Sequence, residues 1–141
     1  MSIEQTKALV RQLVEEMINQ GNLSLADEMF AADFIEHEEL PAEAARGREG
    51  VKQMMTMMRS AFPDFQVTIE DMIAEGDKVV IRQTWTGTHQ GEFMGMPPTG
   101  KRIAFGVFDI IRIEGGKFVE HWGQMDSTGL MQQLGADTTP G

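Results

Sequence analysis

A chain of 141 residues fits one domain and is long enough to bury a core without disulfides or a structural metal. It contains no cysteine, which excludes disulfide staples, thiolate metal sites and a cysteine nucleophile, and is compatible with a reducing cytoplasm. Lys and Arg total 12 against 22 Asp and Glu, and the resulting formal charge of −10 repels nucleic-acid phosphates and anionic membrane surfaces, so neither is an expected partner.

Residues 1–5 show no basic segment followed by an apolar one, so no signal peptide is expected, and a cytoplasmic location follows by default. No apolar run approaches the ~20 residues of a membrane helix. Ser2 followed by Gln5 has the pattern of a capping box. Leu9, Val10, Leu13, Val14, Met17 and Ile18 then recur at three- and four-residue spacing, which predicts a helix with one apolar face, ended by Gly21. Ser24 is placed to cap a second, shorter helix carrying Leu25, Met29 and Phe30. Residues 33–37 alternate in part and predict an edge strand, and residues 41–47 read as a loop. A third helix starts near Arg48, presents Val51, Met54, Met55, Met58 and Phe62, and stops at Pro63.

The second half reads as strands. Phe65, Val67 and Ile69 alternate with polar residues, and Gly76-Asp77 marks a hairpin turn before a strand that runs through Val79, Val80 and Ile81 to Trp85. Residues 87–100 hold four Gly and two Pro and predict a structured loop. Residues 103–113 form a long strand whose apolar residues occupy both alternation phases, which predicts burial on both faces. Residues 114–117 make the next turn, residues 118–126 the last strand, and residues 130–134 a short C-terminal turn or helix. Helices followed by a run of antiparallel strands imply an α+β fold. A sheet of so few strands must bury one face on the helices, and curling around them leaves a concave pocket at the open end.

Several stretches carry a resemblance. They are Ala61-Phe62-Pro63-Asp64-Phe65, Glu75-Gly76-Asp77-Lys78-Val79-Val80, and Gly87-Thr88-His89-Gln90-Gly91-Glu92-Phe93. Pro97-Pro98-Thr99-Gly100-Lys101 follows, then Gly116-Lys117-Phe118-Val119-Glu120-His121-Trp122 and Asp126. In that order and spacing the chain resembles the SnoaL-like polyketide cyclases of the nuclear-transport-factor-two-like superfamily, over nearly its whole length as a single domain, 1–141. The loop through Pro98 and Lys101 is the specific part of the likeness. The resemblance implies a cone, a cystatin-like α+β roll in which a strongly curved antiparallel sheet wraps around N-terminal helices, paired as a homodimer through sheet faces. The same fold hosts many chemistries, so the site has to decide the function.

In the family that the chain resembles, an aspartate acts as general base and then general acid while a polyketide ester closes a ring by intramolecular aldol condensation. The resemblance gives that role to Asp126, which shares an alternation phase with Trp122 and Gln124. One carboxylate suffices for this chemistry. The carbon acid lies between carbonyls, the enolate charge spreads over a conjugated system, and a carboxylate in an apolar pocket is the stronger base. No cofactor and no metal is then required. The competing reading of Asp126 is an N-cap for the following segment, and the two are compatible. His37 lines the pocket by the resemblance and is a surface histidine among Glu36, Glu38 and Glu39 by its neighbours. His121 points to the opposite face from Asp126 unless a bulge intervenes, and which of the two faces the pocket stays open.

His89, in the glycine-rich loop, reads as a structural hydrogen-bonding residue. The three histidines lack the spacing of a helical zinc site. Trp85, Trp122, Met54, Met58, Phe93 and Gln124 are the pocket candidates, although plain core packing is the more common use of such tryptophans and methionines. Phe93 with Met94 and Met96 is a candidate lid. Asp109 interrupts an apolar run and calls for a partner, Arg112 or Arg82 by default, with a second pocket acid as the sharper alternative.

The expected function is therefore cofactor-free acid–base catalysis of the cyclase type on a small, apolar, carbonyl-containing molecule. A ketosteroid-isomerase-type site uses a tyrosine in its oxyanion hole, and this chain has none. An epoxide-hydrolase-type set of Asp, Arg and Asp has its residue types in Asp109, Arg112 and Asp126. A non-catalytic binding or dimerisation module is the remaining alternative, and the burial of Asp126 discriminates it.

Overall fold

The computed structural model describes residues 1–37 and 46–135. Glu38, Glu39 and most of the expected 41–47 loop lie outside the described residues. The Ser2 hydroxyl accepts from the Gln5 backbone N–H at 3.1 Å, and the Gln5 side chain accepts from the Ser2 N–H at 2.9 Å. This reciprocal cap starts helix α1 (Ile3–Gln12), which widens into a π-helical stretch, Leu13–Asn19. There Gln20 N–H reaches back five residues to the Glu15 carbonyl. The wider turn buries Leu13, Val14, Met17 and Ile18 together.

A 3-10 turn (Leu23–Leu25) leads into the short helix α2 (Ala26–Met29). Ser24 lies inside that turn, bonded to the Asn22 side chain, so the expected cap is absent and Phe30 opens a strand instead of closing a helix. That strand, β1 (Phe30–Glu36), precedes helix α3 (Gly47–Ala61). Four strands follow: β2 (Gln66–Glu75), β3 (Lys78–Thr88), β4 (Arg102–Glu114) and β5 (Lys117–Met125). Helix α4 (Ser127–Gln133) ends the described chain.

The sheet order is β1-β5-β4-β3-β2. The last four strands pair antiparallel through hairpins, and β1 adds to the edge of β5 in parallel. Register shifts between Ile69 and Asp71 in β2 and between Arg112 and Ile113 in β4 help bend the sheet, since a bulge increases local twist. The result is the α+β cone with the helices in its concave face. No helix among the described residues is long and apolar enough to cross a membrane.

One expectation fails. Strand β4 buries Ile103, Phe105, Val107, Ile111 and Ile113 on the helix side, but Phe108 (54% exposed) and Ile110 (37%) face outward. The apolar residues in the second phase belong to an uncovered outer face, shared with Val80 and Ile73, and not to a second core.

Candidate active site

Four adjacent strands each contribute one inward-facing polar residue at the same level. Ile111 of β4 lies opposite His121 of β5, and Glu36 of β1 pairs with that same His121. Asp109 is two residues before Ile111, and Gln83 is two residues after Ile81, the partner of Asp109 on β3. Side chains two apart share a face, so Glu36, His121, Asp109 and Gln83 form a row across the sheet. His121 Nε2 donates to Asp109 Oδ1 at 2.8 Å, and His121 Nδ1 donates to Glu36 Oε2. Gln83 Nε2 donates to Asp109 Oδ2, and Trp85 Nε1 donates to Gln83 Oε1 at 3.0 Å.

Glycine 123, opposite Asp109, makes room for this row. A Cβ there would sit 2.8 Å from His121 Cε1 and 2.9 Å from Asp109 Oδ1.

All four residues of the row line a cavity of about 90 Å³. Its walls are otherwise apolar: Leu13, Val14, Met17 and Ile18 from the π-helical turn, Met54 and Met55 from α3, and Phe34, Trp85 and Met125 from the sheet. The His121 side chain is only 16% exposed. Burial works against its charge, but the hydrogen bonds to Asp109 and Glu36 and the attraction of both carboxylates prevail and push its pKa up to about 10. At neutral pH the ring is an imidazolium that donates through both nitrogens. Two carboxylates flanking one imidazolium leave one net negative charge. A carboxylate held beside this fixed cation can take up and give back a proton, the row passing from one net negative charge to none and back.

The family model for the SnoaL-like polyketide cyclase matches residues 8–134, a span that takes in the whole row. The chain belongs to this family. Among the curated SnoaL-like cyclases it is 32% identical to the aklanonic acid methyl ester cyclase DauD of Streptomyces sp. (strain C5), over 87% of this chain and 80% of that one. It is 28% identical to the nogalonic acid methyl ester cyclase of Streptomyces nogalater, over 83% and 88%. The solved structure of TsrD from Streptomyces laurentii superposes with a TM-score of 0.87 at 31% identity, covering 97% of this chain and 99% of that one.

Among the site residues that the SnoaL-like resemblance suggested, Asp126 is exposed, leaves the strand, and caps α4 by accepting from Gly129 N–H at 2.9 Å. It is not on the cavity wall, so Asp126 lacks the burial expected of the acid–base group, and the choice between enzyme and binding module passes to the residues that do line the cavity. The reason for its placement is parity. At this level of β5 the inward residues are His121, Gly123 and Met125, while Trp122 pairs with Ile110 and Gln124 with Phe108 on the outer face. Neither Trp122 nor Gln124 reaches the cavity. His37 follows the inward Glu36, so it too faces out. Its ring stacks on Trp122, with centroids 4.7 Å apart and planes 4° from parallel, and its Nε2 hydrogen-bonds Glu120 Oε2 at 2.5 Å.

Of the six pocket candidates, Trp85 and Met54 line the cavity. Met58 is buried in the core beside it, and Phe93 packs edge-on against Phe62 at 5.3 Å. Neither Met58 nor Phe93 is on the wall, and Met94 is 75% exposed at a turn, so the candidate lid does not cover this cavity. His89 is fully buried and accepts from Thr99 N–H. Arg112 bonds Glu120 and Glu114, and Arg82 bonds Asp71, so the cation facing Asp109 is His121 instead. Arg112 thus lies on the opposite face from Asp109, and Asp126 lies away from both, so an Asp–Arg–Asp set is not assembled.

The sequence reading missed Glu36 and Gln83. Gln83 had a visible signal, being the lone polar residue in the inward phase of β3 between Val79, Ile81 and Trp85. Among the described residues no group of three His, Cys, Asp or Glu side chains is arranged to hold a metal ion.

Proposed function

We propose that this SnoaL-like chain closes a carbocycle by intramolecular aldol condensation of a neutral polyketide-type ester, with Asp109 as acid–base group and no cofactor. The observation that carries this reading is the Asp109 carboxylate on the wall of a largely apolar cavity, with one donor on each oxygen. Asp109 removes a proton from the carbon between two carbonyls. The enolate carbon attacks a second carbonyl in the same molecule, and the new alkoxide takes the proton back from Asp109. A C–H bond and the π bond of the attacked carbonyl break, a C–C and an O–H bond form, and there is no net oxidation or reduction. During the first step the negative charge moves from Asp109 to the adjacent enolate, so the His121 imidazolium serves both states without reorganisation.

The charge of the row also supports a neutral substrate. A carboxylate about 5 Å from one net negative charge meets roughly 3 kcal/mol of repulsion at an effective dielectric of about 20. The curated relatives are named for methyl esters, which carry no such charge. At about 90 Å³ the cavity is smaller than the roughly 300–1,000 Å³ of typical ligand pockets. Substrate entry therefore displaces the flexible side chains of Met17, Met54, Met55 and Met125, for which thioethers are suited.

The exposed apolar side chains of Phe108, Ile110, Val80 and Ile73 support a homodimer paired through the outer sheet faces. The absence of cysteine suits work in the cytoplasm.

The decisive test is Asp109→Asn, assayed by cyclisation of aklanonic acid methyl ester and nogalonic acid methyl ester. Turnover should fall by about 10³-fold, within the range for loss of a general acid–base group. A variant that keeps wild-type turnover removes Asp109 from the reaction.

A further inference from the structure

Two donors hold Asp109, and only one of them, His121, is itself fixed by a charged partner. The other is an amide. A glutamine side chain presents a carbonyl at one end and an NH2 at the other, and a flip exchanges them at little steric cost. Turned the wrong way, Gln83 would aim its carbonyl lone pairs at the Asp109 carboxylate. What prevents this is Trp85. An indole N–H can only donate, so the Gln83 oxygen must face it, and the NH2 must then face Asp109. Trp85 has little freedom of its own. It is 4% exposed and held edge-on between Phe65 (5.3 Å, 83°) and Phe105 (5.7 Å, 61°).

We infer that Trp85 is a positioning residue for the acid–base carboxylate, acting through the Gln83 amide to fix the plane of Asp109. The inference rests on the assignment of Asp109 proposed above. The indole carries no proton that titrates in the working range, so its contribution is orientation alone. Both links lie on one strand two residues apart, so the relay needs no loop to close and is in place before substrate arrives.

A Trp85 that merely lines the cavity would act on binding, whereas a positioning Trp85 acts on the chemical step. Trp85→Phe keeps an aromatic ring against Phe65 and Phe105 and removes the N–H. With aklanonic acid methyl ester as substrate, kcat should fall by about 10-fold while KM changes by less than about 3-fold, because misorientation of a reacting group is felt in the chemical step. Gln83→Leu should cost more, and Trp85→Phe added to Gln83→Leu should cost nothing further, since the indole would have no amide left to orient. A KM effect without a kcat effect, or losses that multiply in the double variant, would overturn the relay.

A second measurement needs neither substrate nor variant. In the wild-type protein the Trp85 indole proton should be protected from solvent exchange and the two Gln83 amide protons should be resolved, one moved downfield by the carboxylate. Rapid indole exchange or an averaged amide pair would also overturn it. The Asp109→Asn assay separates the two ideas. Retained turnover there removes the acid–base reading and the relay together, whereas lost turnover with an unaffected Trp85→Phe removes the relay alone.

Discussion

Replacing His121 with glutamine removes the one positive charge between Glu36 and Asp109, and its cost should depend on pH in a defined way. The imidazole pKa rises from 6.5 to about 10 on folding, because the hydrogen bonds to Asp109 and Glu36 outweigh burial. A raised folded pKa means that the charge contributes its full stabilisation below the unfolded value of 6.5, and that this is lost as pH climbs through about 10. At about 1.4 kcal/mol per pKa unit, the ceiling is roughly 5 kcal/mol. Breaking a buried pair by removing one partner costs about 3–5 kcal/mol, which agrees. Urea unfolding of wild type and His121→Gln at pH 6, 7.5, 9 and 10.5 reads the difference directly. The gap should be largest at pH 6, shrink by about 1.4 kcal/mol per unit above 6.5, and nearly close at the top of the range. A gap under about 1 kcal/mol at pH 6, or one that stays flat with pH, would refute the charged state assigned to His121.

Three further outcomes follow from the same geometry. Asp126→Asn should leave turnover and stability nearly unchanged, because asparagine caps a helix about as well as aspartate; a large loss of turnover would restore the role that the resemblance first gave it. Gly123→Ala should lower turnover by about 10-fold or more, because its Cβ pushes His121 and Asp109 apart; the His121 titration, followed by nuclear magnetic resonance, should move down in the same variant. If two copies pair through the outer sheet faces as proposed, Phe108→Lys places a charge in that contact and should yield a folded monomer in sedimentation, with a melting temperature that no longer depends on protein concentration. A wild-type chain that sediments as a monomer would leave that face without a partner.

The parts of the fold that were legible in the sequence are those set by near neighbours. The Ser2–Gln5 cap and the Gly76-Asp77 turn depend on residues within a few positions, and Gly76 takes the positive φ that its turn requires. The family likeness was legible too, because its loop motif is contiguous. The site was legible only in part: His121, Trp85 and Met54 were candidates and Asp109 an alternative, but their assembly depends on which face of each strand turns inward. On β4 the outward Phe108 and Ile110 are as apolar as the inward residues, which hides the phase. On β5 both phases are partly covered, so the pattern did not favour His121 over Trp122. At the end of β1 the histidine drew attention by its chemistry, but parity turns Glu36 inward and His37 out. Asp109 was seen as a buried charge in need of a partner. Its partner lies on a neighbouring strand, and adjacent arginines on the wrong face seemed better placed in sequence alone.

The parallel seat of β1 against β5 ties the order of synthesis to the order in which the site matures. Glu36 and His121 stand 85 residues apart, and everything between them is made first. Without its final strand the chain lacks both His121 and the edge on which β1 sits, so Glu36 and Asp109 come to flank a cation only when β5 is in place. Seating the last strand therefore closes the sheet and completes the polar row in one event.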